Sequence, residues 1–256
     1  MVYVILTTRT AMFTDLTGQK ELLPALAASV ICIVFLLYYY LTILKHPLRL
    51  PGEKKPLTIS KESLEFISGK VTGLILFGLI PYILFIYIIR LPPQDIGVTF
   101  GNMKKSFYLL ALLISIAIIL PCLLSRNRNN RLFGPELKVS VWKPRHYILA
   151  ASGWLIYLLG YEFIFRGVLW SIWYNAYGFR IALGINILLY SAVHIPKGKL
   201  VTLGAIPVGA LLCFLAYKTG SFLPAFFIHS AMAISGELFS AYSGQAVNQN
   251  HAILRR

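Results

Sequence analysis

The fold of this chain is decided by residues 147–170, which read YILAASGWLIYLLGYEFIFRGVLW. The stretch is long enough to cross a bilayer as an α-helix, since a span takes about 20 mainly apolar residues. It nevertheless contains Glu162 and Arg166, which are four residues apart and therefore lie on one helix face. Charged side chains at membrane depth are costly and usually mark a functional site. The stretch therefore predicts a transmembrane helix that carries a polar site.

The rest of the chain has the composition of a membrane protein. Of its 256 residues, 57% are hydrophobic and 13% are charged, and the mean hydropathy is +0.71. Soluble domains are only about 45–50% apolar. We predict an all-α, polytopic transmembrane bundle of about seven spans, near residues 22–44, 71–89, 107–124, 147–170, 179–194, 200–217 and 222–242. Pro81 is expected to interrupt the second span, and residues 45–70 are expected to form a basic loop.

The net charge of +15 comes largely from short loops between these spans. The loops after the first and third spans carry six Lys or Arg residues each, so the positive-inside rule places them in the cytoplasm. With seven spans, the C-terminus is then cytoplasmic and the protein lies in the cell membrane. This distribution indicates membrane lipid as the partner and argues against nucleic acid. Cys32, Cys122 and Cys213 show no metal-binding or disulfide pattern.

Two histidines extend the polar site in the sequence. His194 follows an apolar segment in the pattern Tyr190-x-x-x-His194, and His229 lies inside the last predicted span. One interpretation is structural, with Glu162 and Arg166 forming an ion pair that pins the fourth span to its neighbours. The other is functional, because a glutamate with two histidines can activate water or bind a metal such as zinc. The residues alone leave both open.

The order of these motifs resembles the CPBP family of intramembrane proteases, the CAAX prenyl endopeptidase and Abi-domain group. The resemblance covers residues 147–243, preceded by N-terminal helices and basic loops (1–146) and followed by a polar basic tail (244–256). The family pattern has a Glu-Glu pair with Arg four residues after the second Glu, an aromatic residue four before a middle His, and a final His-x-x-x-Asn. Glu162, Arg166, His194 and His229 match it. Tyr161 replaces the first Glu, and Ala233 replaces the Asn.

The resemblance implies an endopeptidase that hydrolyses a peptide bond of a membrane-associated protein or peptide. Glu162, His194 and His229 would activate water or bind zinc, Arg166 would hold Glu162, and Tyr161 could donate a hydrogen bond. Because Tyr161 and Ala233 depart from the pattern, an inactive relative that acts as a scaffold or regulator of a membrane-protein partner is the alternative. A small transporter would predict internal symmetry, which the sequence lacks.

The predicted spans also contain a geometric conflict. Glu162 lies in the outer half of the fourth span, whereas His194 lies at the inner end of the fifth. The active-site hypothesis requires the two side chains to meet.

Overall fold

The computed structural model describes residues 21–44, 60–102, 107–125, 135–139 and 141–253. Every regular element among these residues is helical, which confirms the all-α prediction. The main helices are α1 (Leu22–Tyr39), α2 (Lys61–Ile88), α3 (Phe107–Ser125), α4 (Pro144–Glu162), α5 (Trp170–Ala192), α6 (Lys199–Thr219) and α7 (Leu223–Ile253). Residues 45–59 of the predicted basic loop lie outside the described residues.

Several of these helices are built to cross a membrane. Four helical stretches are long and apolar enough, namely Leu22–Thr42, Lys61–Ile88, Pro144–Ala192 and Lys199–Thr219, and α3 adds a shorter apolar stretch, Phe107–Leu123. The protein is therefore a multi-pass helical membrane protein. The count of seven spans, the identity of the membrane and the side that holds the C-terminus remain predictions, as does the division into residues 1–146, 147–243 and 244–256.

Two predictions about the second span were wrong. Helix α2 begins at Lys61 and not near residue 71, because the Ser60 hydroxyl oxygen caps its first turn by accepting from the Ser63 N–H at 3.4 Å. The helix also continues through Pro81, with π-helical turns on both sides that accommodate the missing N–H. Helix α7 runs to Ile253, so most of the predicted tail is helical.

Helices α4 and α5 form a hairpin. Its turn lies inside α5, at Gly178, so the first residues of α5 belong to the arm of α4 and the rest form the returning arm. Helix α4 passes through a π-helix (Phe163–Leu169) directly into α5, and the helical run therefore continues well beyond the predicted end at residue 170. Gly178 has φ 77° and ψ −178°, a conformation that glycine adopts readily and other residues do not. The second arm then runs antiparallel to the first. A hydrogen bond joins the two arms, in which the side-chain amide of Asn186 donates to the Phe165 carbonyl at 2.8 Å.

The other helices enclose this hairpin. Helix α2 packs on α4, α6 packs on α5, and α7 packs on both α3 and α4. A buried core of largely aromatic side chains fills the centre and includes Phe77, Tyr157, Tyr161, Phe165 and Tyr190. The polar residues singled out from the sequence lie within or beside this core.

Helices α2 and α4 approach closely at two glycines. A Cβ atom on Gly160 would lie 2.9 Å from the backbone nitrogen of Gly78 and 3.2 Å from the Cα of Leu74. Small residues allow transmembrane helices to pack this closely. Because Gly160 precedes Glu162 by two residues, this contact helps set the position of the polar site.

We expect Gly160→Ala to lower the free energy of unfolding by about 1–3 kcal/mol, the usual cost of overpacking a tight contact. Gly184→Ala is the matched control, since a Cβ atom there meets nothing within 4 Å and alanine favours the helix. Unfolding by SDS in mixed micelles measures both variants. Equal stability of the two would show that the glycine contact is not tight.

Candidate active site

Glu162 lies at the junction of α4 and the π-helix and is fully buried. π-Helical turns are rare and often occur at functional sites, where they alter which side chains share a face. Within this π-helix the Phe165 carbonyl accepts from the side-chain amide of Asn186, which fixes the two arms of the hairpin against each other. The carboxylate of Glu162 therefore lies in the protein interior, next to a π-helix that a side-chain hydrogen bond fixes to the second arm.

Arg166 pairs with Glu162 inside the bundle. Its Nη1 lies 3.1 Å from Oε2 of Glu162, and both side chains are 0% exposed. The guanidinium also lies 4.1 Å from the centroid of the Tyr190 ring, and its Nη2 donates to the Gly209 carbonyl at 3.4 Å. The predicted ion pair is therefore present, and α6 and α5 both contribute to holding its cation.

His229 contacts the other oxygen of the same carboxylate. Its Nδ1 lies 2.5 Å from Oε1 of Glu162. An ionised carboxylate only accepts hydrogen bonds, so Nδ1 carries the proton that it donates. In a neutral imidazole this leaves the lone pair on Nε2, the nitrogen that points away from Glu162. Glu162 therefore sets the tautomer of His229.

A backbone carbonyl orients the ring of His194 in the same way. Its Nδ1 lies 2.7 Å from the Tyr190 carbonyl oxygen, which can only accept, so Nε2 again holds the lone pair when the ring is neutral. The ring packs against Tyr190 at 4.6 Å between centroids. Pro196, in the 3-10 turn Ile195–Lys197, follows directly and ends the helical segment that positions this histidine.

Tyr161 lies between the two histidines. Its ring centroid is 5.7 Å from that of His229 and 6.3 Å from that of His194, with both pairs edge to face. The residue is 4% exposed, and its hydroxyl has no hydrogen-bond partner among the described residues. Tyr161 thus joins the two histidines into one cluster.

The predicted conflict of depth between Glu162 and His194 was wrong. Each residue lies 16 positions from Gly178, one on each arm of the hairpin, so an antiparallel return brings them to the same level. The error came from ending the fourth span at residue 170, which placed Glu162 too near its outer end. The structure brings Tyr161, Glu162, Arg166, His194 and His229 together.

The last position of the family pattern lacks a polar group. Ala233 lies on α7 one turn beyond His229 and packs against the aromatic core. It offers no side-chain donor there. Any hydrogen bond that an asparagine would have supplied must come from another element.

The contacts of the three groups predicted to bind a metal do not suit a metal site. One oxygen of Glu162 is bonded to the Nδ1 of His229 and the other faces the guanidinium of Arg166, whose charge would repel a divalent cation. Across the described ranges, no group of three or more His, Cys, Asp or Glu side chains is arranged to hold a metal ion. Zinc remains an untested prediction, and the mechanism proposed below uses protein side chains only.

A short segment, residues 135–139, is tied to helix α7 near the site; we call it the strap. The carboxylate of Glu237 accepts from the backbone N–H groups of Glu136 and Leu137 at 2.8 and 2.9 Å. The indole N–H of Trp154 donates to the same carboxylate at 3.4 Å. The Leu137 side chain is fully buried in the aromatic core. Glu237 thereby links α4, α7 and the strap.

Two lysines bind the strap from other elements. Lys70 of α2 donates to Glu136 at 2.6 Å, and Lys197, three residues after His194, lies 3.7 Å from the other oxygen. Desolvation opposes ionisation of Glu136, which is still 44% exposed, yet these cations hold its pKa below the ordinary value. The strap therefore contacts α2, α7 and the 3-10 turn that follows His194.

Sequence reasoning missed Asn186 and the role of Glu237. Glu237 was placed beside the face of His229 and given no function, whereas it binds the strap. Asn186 was not singled out. In both cases the available signal was a polar side chain inside an apolar stretch, the same signal that identified Glu162.

The fold and the site define a multi-pass helical membrane protein with a buried glutamate–arginine pair and two oriented histidines. Residues 143–235 match a family model, Rce1-like, described as type II CAAX prenyl endopeptidase Rce1-like. The match covers the segment that carries the polar site, and it confirms the resemblance found in the motifs. No curated protein and no solved structure matches the chain.

Proposed function

We propose that this protein is an intramembrane endopeptidase that hydrolyses a peptide bond of a membrane-associated substrate. The observation that carries the proposal is the 2.5 Å contact between Nδ1 of His229 and Oε1 of Glu162, beside His194. A histidine held by a carboxylate through one nitrogen presents the other as a general base. The family match supports the reaction class.

His229 is the base in this mechanism, and Glu162 is its positioning residue. The motif resemblance placed water activation partly on Glu162, but both oxygens of that carboxylate already have partners and neither reaches solvent. His229 is 8% exposed, and its Nε2 is not engaged by Glu162. Arg166 keeps Glu162 ionised by neutralising its charge, so the carboxylate can stabilise the imidazolium that forms.

In the reaction, the oxygen of water forms a bond to the carbonyl carbon of the peptide while His229 Nε2 takes its proton. The carbonyl π electrons move onto the carbonyl oxygen. When the C–N bond breaks, the imidazolium returns the proton to the departing amine nitrogen. In this mechanism His194, with its own Nε2 lone pair, holds the attacking water by accepting a hydrogen bond from it.

The test uses purified protein in liposomes and two kinds of substrate. One is a membrane fraction from a strain that lacks the gene, analysed by labelling of new N-termini. The other is a farnesylated peptide with the CAAX sequence, compared with its unprenylated form. The first identifies membrane substrates in general, and the second asks whether the substrate named in the family description is accepted.

We expect new N-termini with the wild type and none with the His194→Ala/His229→Ala variant. His146→Gln is the matched control, because His146 is also buried but lies near the start of α4, where its Nδ1 accepts from the Lys143 N–H. It should cleave as the wild type does. The same cleavages from the double variant, or no cleavage by the wild type of either substrate, would refute the proposed function.

A further inference from the structure

We infer that the Tyr161 hydroxyl donates a hydrogen bond to the carbonyl oxygen of the peptide bond being hydrolysed. The inference rests on the proposed function and adds a catalytic residue to it. In this assignment the tyrosine supplies a side-chain donor to a site where Ala233 offers none.

The surroundings of the hydroxyl point to an external acceptor. Nearly all buried polar side-chain atoms in proteins have a hydrogen-bond partner. The Tyr161 oxygen is buried and has none within the described parts of the chain, although its ring touches both histidine rings. A hydroxyl left unpaired costs stability, so a donor kept there fits a ligand that accepts from it.

The ring of Tyr161 is held firmly. Phe35, Tyr157 and Phe165 pack against it with centroid distances of 5.6, 5.6 and 5.0 Å. A donor held in place before the reaction stabilises developing charge without the cost of reorganisation. A phenol is a weak proton acceptor at neutral pH, so the hydroxyl suits the role of donor and not that of base.

The step is consistent with the proton movements of hydrolysis. As water attacks the carbonyl carbon and His229 takes the proton, negative charge develops on the carbonyl oxygen. The Tyr161 O–H donates to that oxygen and keeps its own proton. Charge then returns to re-form the carbonyl as the amine leaves. The donor comes from α4, and α7 supplies only the histidine.

Two other buried hydroxyls are also candidates for this role. Ser230, next to His229, and Ser191, next to Tyr190, also have oxygen atoms without a partner among the described residues. Tyr161 is preferred because its ring packs edge to face against both histidine rings. Ser230→Ala is therefore the competing variant in the test.

The test measures kcat and KM for the peptide that the wild type cleaves fastest in the assays above. Tyr161→Phe should lower kcat by about 10²- to 10³-fold, the usual effect of losing one oxyanion donor, with KM unchanged. Its Tm should equal or exceed that of the wild type, since the variant removes only an unpaired hydroxyl. Tyr157→Phe, one turn earlier on α4, and Ser230→Ala should keep the wild-type kcat.

A wild-type kcat for Tyr161→Phe, a rise in KM alone, or a loss of kcat in Ser230→Ala instead would overturn the inference. His229→Ala, assayed in parallel, separates this failure from that of the proposed function. If His229→Ala is inactive while Tyr161→Phe is fully active, the endopeptidase stands and the donor lies elsewhere. If His229→Ala is fully active, the proposed function fails and the inference fails with it.

Discussion

Glu162→Gln is expected to lower kcat by about 10²- to 10⁴-fold, the range spanned by general-base catalysis. The carboxylate accepts from Nδ1 of His229 and thereby keeps the lone pair on Nε2. A glutamine can instead donate to Nδ1, which reverses the tautomer, and it provides no negative charge to stabilise the imidazolium. The effect should appear in kcat, because the carboxylate acts on the base and does not contact the substrate.

The sharper measurement is a double-mutant cycle with His229→Ala. If Glu162 acts through His229, the Glu162→Gln/His229→Ala protein should be no less active than His229→Ala alone, since residues that act as a unit are strongly non-additive. Glu162→Asp should recover part of the lost activity because it retains the charge. Additive losses would show that Glu162 contacts the reacting groups directly, as the motif resemblance had implied. All rates are taken below the Tm of each variant.

Arg166→Met is expected to lower the free energy of unfolding by about 3–5 kcal/mol, because it leaves the Glu162 carboxylate buried without its counter-charge. Both partners are 0% exposed, so water cannot replace the lost interaction. The loss of the contacts to the Tyr190 ring and the Gly209 carbonyl acts in the same direction. Unfolding by SDS in mixed micelles provides the measurement.

The chain offers a matched control with the same spacing. Lys61 and Glu65 also form an i,i+4 ion pair, at 3.5 Å, but their side chains are 76% and 39% exposed. Lys61→Met should change stability by less than about 1 kcal/mol, as is usual for surface pairs. The Glu162→Gln/Arg166→Met protein should be more stable than Arg166→Met, since it no longer buries an unpaired charge. Equal losses at Lys61 and Arg166 would contradict the buried position of the pair.

The predictions for Glu162→Gln and Arg166→Met test the two partners of one carboxylate. Glu162 is shared between a cation that stabilises its ionised form and a histidine that it orients. Arg166→Met should therefore also reduce kcat at temperatures where the variant is folded. The structural interpretation of the ion pair and the functional interpretation of the glutamate, which the residues alone left open, are compatible, because each carboxylate oxygen serves one of them.

The membrane class, the helical nature and the identity of the polar residues could be predicted from the sequence. These properties depend on local composition, since about 20 apolar residues suffice for a span and a charge inside one is conspicuous. The spacing of Glu162 and Arg166 likewise places both on one helix face without reference to the rest of the chain. The same reasoning recognised His194 and His229, and the family resemblance identified the departures at Tyr161 and Ala233.

Only the tertiary structure decided how these residues meet. The π-helical junction, the turn at Gly178 and the antiparallel return of α5 place Glu162 level with His194. The pairing of His229 with one oxygen of Glu162, and of Arg166 with the other, depends on how α7 packs against α4. Strap contacts made by Glu237 join residues about 100 positions apart. Local patterns determine which helices form and which side chains are polar. Contacts between distant segments follow from how the helices pack, and the periodicity of a single helix does not predict that packing.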